Sequence, residues 1–215
     1  MNRSCAVAAV AAALCSGLAC ADIVDVTING EVEYNQINQG DFSQVNAGDS
    51  AVLTFQVDSN VFTNSGSFPT RGYHIDPASF VLTIGSVVVG LQNPFPGGDT
   101  PYFVLRNNDP AVDGFFIADN VDFPTGVPLN QGGAFGQFRN DFSVGYTGDT
   151  LSSLDILDAV GTYDYTGLTS FNWAIDDGPF KPLYIIFESM TIVPAPAALA
   201  AFAPAGLFLR RRRRA

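Results

Sequence analysis

Apolar and polar residues alternate along several stretches of the chain. In residues 51–58, Leu53, Phe55 and Val57 occupy every second position, with polar residues between them. The same spacing recurs at 80–84 and at 171–175. Successive side chains of a β-strand point to opposite faces of its sheet, so a period of two predicts strands that each bury one face in a core.

Short apolar runs bounded by Gly, Pro, Asn and Asp predict the remaining strands. These runs are 26–28, 31–34, 86–91, 101–106, 114–119, 134–146, 160–166 and 183–192. Asn29-Gly30 separates the first two runs, and this dipeptide is a strong signal for a two-residue hairpin turn. Only residues 151–160 have apolar spacing that fits a helical turn, with Ser152 or Ser153 as its N-cap.

The number and spacing of these elements predict the fold class. Many short strands, frequent turn residues and almost no helix are typical of an antiparallel β-sandwich with Greek-key or jelly-roll order. The chain has no internal repeat of the length used by propellers and solenoids. We therefore expect one all-β domain over residues 22–189.

The N-terminal 21 residues have the features of a secretory signal peptide. Arg3 precedes an apolar run, and the small residues Ala19 and Ala21 stand where signal peptidase requires them for cleavage before Asp22. Lipid attachment at Cys20 is an alternative. All three cysteines of the chain fall in this segment, so the processed protein would have no thiol and no disulfide.

The C-terminal region 190–215 predicts a membrane segment. Met190 to Leu209 is free of charged residues, which is about the length needed to cross a bilayer. Pro194 and Pro196 place the apolar helix at 197–209. Five arginines follow the helix and would stay on the cytoplasmic side. They are Arg210, Arg211, Arg212, Arg213 and Arg214.

Val193, Pro194, Ala195 and Pro196, followed by an apolar stretch and an arginine cluster, resemble the PEP-CTERM sorting signal of exported bacterial proteins. Ala195 replaces the glutamate usual in that motif. The resemblance implies recognition by an exosortase-like membrane protease and delivery to the cell surface, the outer membrane or the extracellular matrix. Cleavage of the tail and its retention as a membrane anchor both stay open.

Charge is divided unevenly along the chain. Residues 22–193 hold all 21 acidic side chains and only four basic ones, Arg71, Arg106, Arg139 and Lys181, which gives a formal net charge of −17. Nucleic-acid binding needs a basic surface, so this balance argues against it.

The sequence contains no recognisable catalytic motif. His74 is the only histidine, and no thiol would remain after signal-peptide removal. Glu31 and Glu33 would lie on one face of a strand, roughly 6 to 7 Å apart, where two carboxylates could hydrolyse a glycoside. Carboxylates at alternate positions are also typical of a solvated strand face. We therefore expect a non-enzymatic protein.

Oxygen-bearing side chains predict a calcium site. The candidate ligands are Asp99, Asn107, Asp109, Asp113 and Asp119. Calcium prefers six to eight oxygen ligands from carboxylates, amides and loop carbonyls. The same residue types also form turns, and the spacing does not match an EF-hand loop.

Two tyrosines predict a contact with sugars. Tyr163 and Tyr165 flank Asp164 and would point to the same side of a strand, where their rings could stack on a glycan. The favoured hypothesis is an exported structural or adhesive protein of the cell surface or matrix. The alternatives are a calcium-assisted carbohydrate-binding module and a carboxylate-based glycoside hydrolase.

Overall fold

The computed structural model describes residues 22–109, 111–178 and 183–196. They form twelve β-strands and one short 3₁₀ helix (Asp41–Gln44), and no α-helix is present among them. The strands are β1 (Ile23–Asn35), β2 (Ser50–Asn64), β3 (Thr70–Ile75), β4 (Val81–Ile84), β5 (Val87–Val89), β6 (Tyr102–Arg106), β7 (Val112–Ala118), β8 (Val127–Gly132), β9 (Gln137–Thr147), β10 (Gly161–Tyr163), β11 (Leu168–Asp176) and β12 (Leu183–Pro194).

Eight of the strands form a closed antiparallel barrel. They pair in the order β1, β12, β11, β9, β7, β6, β3 and β2, and β2 pairs again with β1. The prediction of a β-sandwich is therefore wrong. Alternation along a strand defines which face is buried, and that pattern is the same in a sandwich and in a barrel. Closure depends on whether the first and last strands of the sheet meet, which no local pattern encodes.

The remaining strands extend the barrel wall outward. The first half of β2 pairs with β4, and its second half pairs with β3 after a register shift between Val57 and Phe62. Strand β5 adds to β4, β10 adds to β12 and β8 adds to β9. Strands β5, β4, β2, β1, β12 and β10 consequently form one continuous sheet, which we call the outer sheet.

Aromatic side chains fill the barrel. Phe103 stacks on Phe115, Phe142 packs edge-on against Trp173, and all four rings are fully buried. The indole N–H of Trp173 donates to Asn140 Oδ1 at 2.9 Å. The predicted core positions Leu53, Phe55 and Val57, and likewise Phe80, Leu82, Ile84, Trp173 and Ile175, are buried as their alternation requires.

Asn29-Gly30 does not form the predicted hairpin. Strand β1 runs without a turn from Ile23 to Asn35, with a bulge between Asn29 and Gly30 where it pairs with β12. A Cβ at position 30 would lie 2.8 Å from the Trp173 ring and would also collide with the Ile186 carbonyl. The glycine is required by packing against β11 and β12, not by a turn.

Two loops cover opposite ends of the strands. At the end of β1, the Asn35 amide donates to the carbonyls of Phe42 and Val45, and Phe42 is buried against Phe138. At the other end, residues 151–160 form successive turns in place of the predicted helical turn. The Tyr73 hydroxyl donates to the Leu154 carbonyl at 2.8 Å and accepts from the Ile156 N–H at 3.0 Å, which fixes this loop over the core.

The last strand, β12, extends into the predicted C-terminal membrane segment. Met190 to Pro194 belong to β12, so the prediction that the uncharged stretch from Met190 to Leu209 forms a membrane-spanning segment is wrong. No helix in the described part of the chain is long and apolar enough to cross a membrane. The predicted signal peptide 1–21, the apolar helix 197–209 and the arginine cluster 210–214 lie outside the described residues.

Candidate functional site

A groove of about 820 Å³ lies between two connecting segments of the barrel. One wall is the turn between β3 and β4, residues 76–80. Its backbone is bonded to β2: the Asp76 N–H donates to the Gln56 carbonyl at 2.9 Å, and the Gln56 N–H donates to the Ser79 hydroxyl at 2.8 Å. The turn is thus held firmly against the barrel wall.

The opposite wall is the start of the loop between β5 and β6. Two hydrogen bonds join Gly90 to Asn130 of β8. The Asn130 N–H donates to the Gly90 carbonyl at 3.0 Å, and the Gly90 N–H donates to Asn130 Oδ1 at 3.3 Å. The Gln92 N–H donates to the Pro128 carbonyl at 2.9 Å. These bonds fix residues 90–92 to β8, so that the Asn93 side chain projects from an anchored segment.

The lining combines primary amides with apolar surface. Gln92, Asn93 and Asn130 line the groove beside Phe80 and Phe95. Phe80 is buried and Phe95 packs against the core, so the apolar surface is rigid. The side-chain amides of Gln92 and Asn93 make no hydrogen bond within the described residues, which leaves their donors and acceptors available to a ligand.

Asp76 is the single ionisable residue among the described residues that line the groove. Its Oδ1 accepts from the Ala78 N–H at 3.0 Å, an Asx-type bond that shapes the turn. No basic side chain lines the groove among the described residues. The site therefore offers hydrogen bonds and apolar contact, with one negative charge at its edge.

The predicted calcium ligands are spread over both ends of β7. Asn107, Asp109 and Asp113 lie in or beside the hairpin between β6 and β7, whereas Asp119 follows the other end of β7, roughly 20 Å away by the rise of a strand. Asp99 is exposed on the loop before β6. In the part of the chain that the structure describes, no three His, Cys, Asp or Glu side chains lie close enough together to hold a metal.

Asp113 is fully buried, and its partners explain why it is tolerated there. Its Oδ1 accepts from the Asn108 N–H at 2.8 Å, and its Oδ2 accepts from the Leu151 N–H at 2.7 Å. The carboxylate thereby joins the β6–β7 hairpin to the loop that covers the end of the barrel. This is a structural role that the sequence does not reveal.

Asp119 forms an ion pair with Arg139 at 2.7 Å and accepts from the Thr125 hydroxyl at 2.6 Å. Partial burial raises the pKa of Asp119, but hydrogen bonds from Thr125 and Arg139, together with the charge of Arg139, hold that pKa below its ordinary value of 3.8. Arg139 also donates to the carbonyls of Thr125 and Gly126. The pair ties the β7–β8 loop to β9.

Asp119→Asn tests this pair through its pH dependence. A carboxyl whose pKa is lowered by folding contributes stability above its unfolded pKa, and the contribution is lost as the pH falls through the folded pKa. We expect the variant to be less stable than the wild type by about 1 kcal/mol at pH ~7, with the difference decreasing as the pH falls below ~4. Urea unfolding at both pH values measures it, with Asp99→Asn as the control; a difference that does not change with pH would contradict the assignment.

Tyr163 and Tyr165 do not form a shared exposed surface. Tyr163 packs edge-on against Phe115, its hydroxyl donates to the Ala159 carbonyl at 2.8 Å, and burial raises the pKa of Tyr163 to about 12. Tyr165 is 54 % exposed, and its hydroxyl donates to the Phe187 carbonyl. Tyr163 is thus partly buried and packs against the edge of the core.

The residues with catalytic potential do not assemble into a reaction site within the described residues. His74 Nε2 lies 3.4 Å from the Thr63 hydroxyl, and the ring packs edge-on against Tyr102. Burial lowers the pKa of His74, and no carboxylate in the described chain is bonded to its ring. Glu31 and Glu33 are exposed on β1.

The residues of the predicted sorting motif continue the barrel wall. Val193 pairs with Asp25 and Pro194 with Val24, and the Ala195 N–H donates to the Ile23 carbonyl at 2.7 Å. The other predicted processing residues, Ala19, Ala21 and Arg210 to Arg214, lie outside the described residues. The motif therefore meets the first strand of the barrel, directly after the predicted signal cleavage position.

Comparison with known proteins finds no match to this chain among protein-family models, curated proteins or solved structures.

The groove residues Asp76, Gln92, Asn93 and Asn130 were not predicted from the sequence. Part of the signal was present, because residues 93–98 place an amide and a phenylalanine among prolines and glycines. The two prolines restrict the backbone of this loop, and its turn residues place it at the surface. The contribution of Asn130 depends on the pairing of residues 90–92 with β8, which local pattern does not predict.

Proposed function

We propose that this chain is an exported, non-enzymatic surface protein that binds a neutral polysaccharide in the groove at Asn93. The observation that carries the proposal is the set of unpartnered amides on a rigid apolar floor. An amide both donates and accepts, so it can bond adjacent hydroxyls of a sugar, while the C–H face of the ring contacts apolar side chains. The groove is also large enough for several sugar units.

Charge supports a neutral ligand over an acidic one. The domain has a formal net charge of −17 over residues 22–193, so a polyanion would be repelled on approach. The groove itself contributes Asp76 and no cation among the described residues. Neutral polysaccharides do not carry this electrostatic cost.

Location is the second part of the proposal. The signal-peptide pattern and the resemblance of Val193 to Arg214 to a sorting signal support export, with signal peptidase and an exosortase-like protease as processing partners. Such a protein would be displayed on the cell surface, on the outer membrane or in the extracellular matrix. Adhesion to matrix polysaccharide is a function suited to that place.

Asn93→Ala and Gln92→Ala, separately and together, test the groove. Loss of hydrogen bonds from both amides is expected to weaken binding to a neutral polysaccharide about tenfold, without change in thermal stability because neither amide bonds the protein. Binding is measured by affinity electrophoresis in gels that contain hydroxyethylcellulose, dextran or glucomannan, with alginate as the acidic comparison.

The matched control is Gln39→Ala, which removes an exposed amide outside the groove. The control is expected to migrate like the wild type in every gel. Retardation of the wild type by none of the neutral polysaccharides would refute the proposed function. Equal retardation of the wild type and the double variant would refute the assignment of the groove.

A further inference from the structure

Four threonines from four neighbouring strands stand in register on the outer sheet. Thr27 of β1 pairs with Thr54 of β2 and with Thr191 of β12, and Thr191 pairs with Thr162 of β10. The next row on the same face consists of Gln56, Asp25 and Val193, again in register. We call these seven residues the threonine platform.

The threonine hydroxyls of the platform have no hydrogen-bond partner among the described residues. Within the described residues, none of the four threonine hydroxyls makes a hydrogen bond, although Thr27, Thr54 and Thr191 are only partly exposed. Elsewhere the hydroxyls of Thr70 and Thr125 are bonded to a carbonyl and a carboxylate at 2.6 Å. A row of unpartnered hydroxyls beside their own methyl groups is both polar and apolar, which is the character of a surface that contacts sugars.

The platform is almost free of charge on a strongly acidic domain. Asp25 is its only ionisable residue, and its Oδ1 accepts from the Gln56 amide at 2.8 Å. A second copy of the chain would bring another net charge of −17 to this face, and long-range repulsion opposes that contact. A neutral, hydroxyl-bearing partner meets no such barrier.

The platform adjoins the groove at Asn93. Thr27, Thr54, Gln56, Asp25 and Val193 line a second groove of about 520 Å³, which ends at Ser79. Asp76, Pro77, Ala78 and Phe80 line the first groove, so the single turn 76–80 separates the two. A ligand chain that passes this turn contacts both surfaces.

We propose that the threonine platform is an extension of the glycan site and that it selects an extended neutral polysaccharide. This inference rests on the proposed function. Adjacent strands lie about 4.8 Å apart, which is comparable with the advance of one sugar unit in an extended β-linked chain. One sugar therefore lies over each strand, and the four threonines span about 14 Å, or roughly three to four sugars.

Thr27→Val combined with Thr191→Val tests the platform. Valine keeps the shape and the preference for strands and removes only the hydroxyls, so the fold is retained. Titration calorimetry with cellotriose and with cellooctaose compares a ligand that fits the first groove with one that reaches both. We expect the wild type to bind the octamer more tightly than the trimer, and the double variant to lose about tenfold in affinity for the octamer alone.

Thr83→Val is the matched control, because Thr83 of β4 belongs to the same sheet, its hydroxyl makes no hydrogen bond within the described residues, and it does not line the second groove. Its affinities are expected to equal those of the wild type. The extension would be overturned if the wild type bound trimer and octamer with equal affinity, or if the double variant bound the octamer as tightly as the wild type does. The first groove would still be upheld by trimer binding that depends on Asn93. Absence of binding to both oligomers would overturn the extension, and the proposed function would be overturned as well if no neutral polysaccharide retards the wild type. A concentration-dependent dimer that the double variant abolishes would overturn the extension alone.

Discussion

Gly30→Ala is expected to lower the free energy of unfolding by about 3 kcal/mol, a severe effect for the addition of one methyl group. The added Cβ would collide with the Ile186 carbonyl and lie 2.8 Å from both the Trp173 ring and Ile185 Cγ2. Backbone cannot move away cheaply at this point, because β1 is paired on both edges by β2 and β12. Guanidinium unfolding followed by the fluorescence of Trp173, the only tryptophan, measures the loss.

Gly161→Ala provides the matched control for this experiment. Gly161 is also in a strand, β10, but a Cβ built there meets nothing within 4 Å. We expect its stability to stay within about 0.5 kcal/mol of the wild type. Similar losses for the two variants would show that the intrinsic preference of strands, and not the contact with Trp173, governs position 30.

Asp113→Ala is expected to lower the free energy of unfolding by about 4 kcal/mol, since the buried Leu151 N–H and the partly buried Asn108 N–H lose their acceptor and a cavity replaces the carboxylate. Asp113→Asn keeps the volume but can accept at only one end, so its cost should be intermediate, about 2 kcal/mol. Urea unfolding measures both. Hydrogen exchange at the Leu151 and Asn108 amides, which donate to Asp113, should accelerate in both variants.

Asp109→Asn is the control for Asp113, because Asp109 lies in the same hairpin but is partly exposed and 3.5 Å from Arg106. Its effect should be below about 1 kcal/mol. The same set of variants tests the predicted calcium site. A rise of Tm with calcium that Asp113→Asn abolishes would contradict the purely structural role and place a metal at this hairpin.

Local pattern predicted which residues are buried better than it predicted how strands are arranged. Leu53, Phe55 and Val57 are buried because the period of a strand is a property of the backbone, wherever the strand pairs. The error at Asn29-Gly30 has a different origin. The dipeptide favours a turn, but Trp173, more than 140 residues later, needs the space that the missing Cβ leaves.

The candidate site could not be predicted for a similar reason. The turn 76–80, the loop at Asn93 and Asn130 are distant in sequence, and only the pairing of residues 90–92 with β8 brings them together. The row of Thr27, Thr54, Thr162 and Thr191 likewise exists only in one register, since a shift by one residue would turn these side chains inward. The residue types of these segments indicate polar loops, but the strand topology determines which loops lie next to each other.

The pairing of β1 with β12 fixes when the barrel can be completed. During synthesis from the N-terminus, β1 is the first of the described strands to emerge, and its partner on one edge, β12, is the last. Until residues 183–194 arrive, β1 and β11 each present an open edge, and open edges invite pairing with other chains. Closure of the barrel is therefore a late step in folding. A chain that ends before β12 would keep unpaired strand edges on β1 and β11, and these edges are paired in the closed barrel.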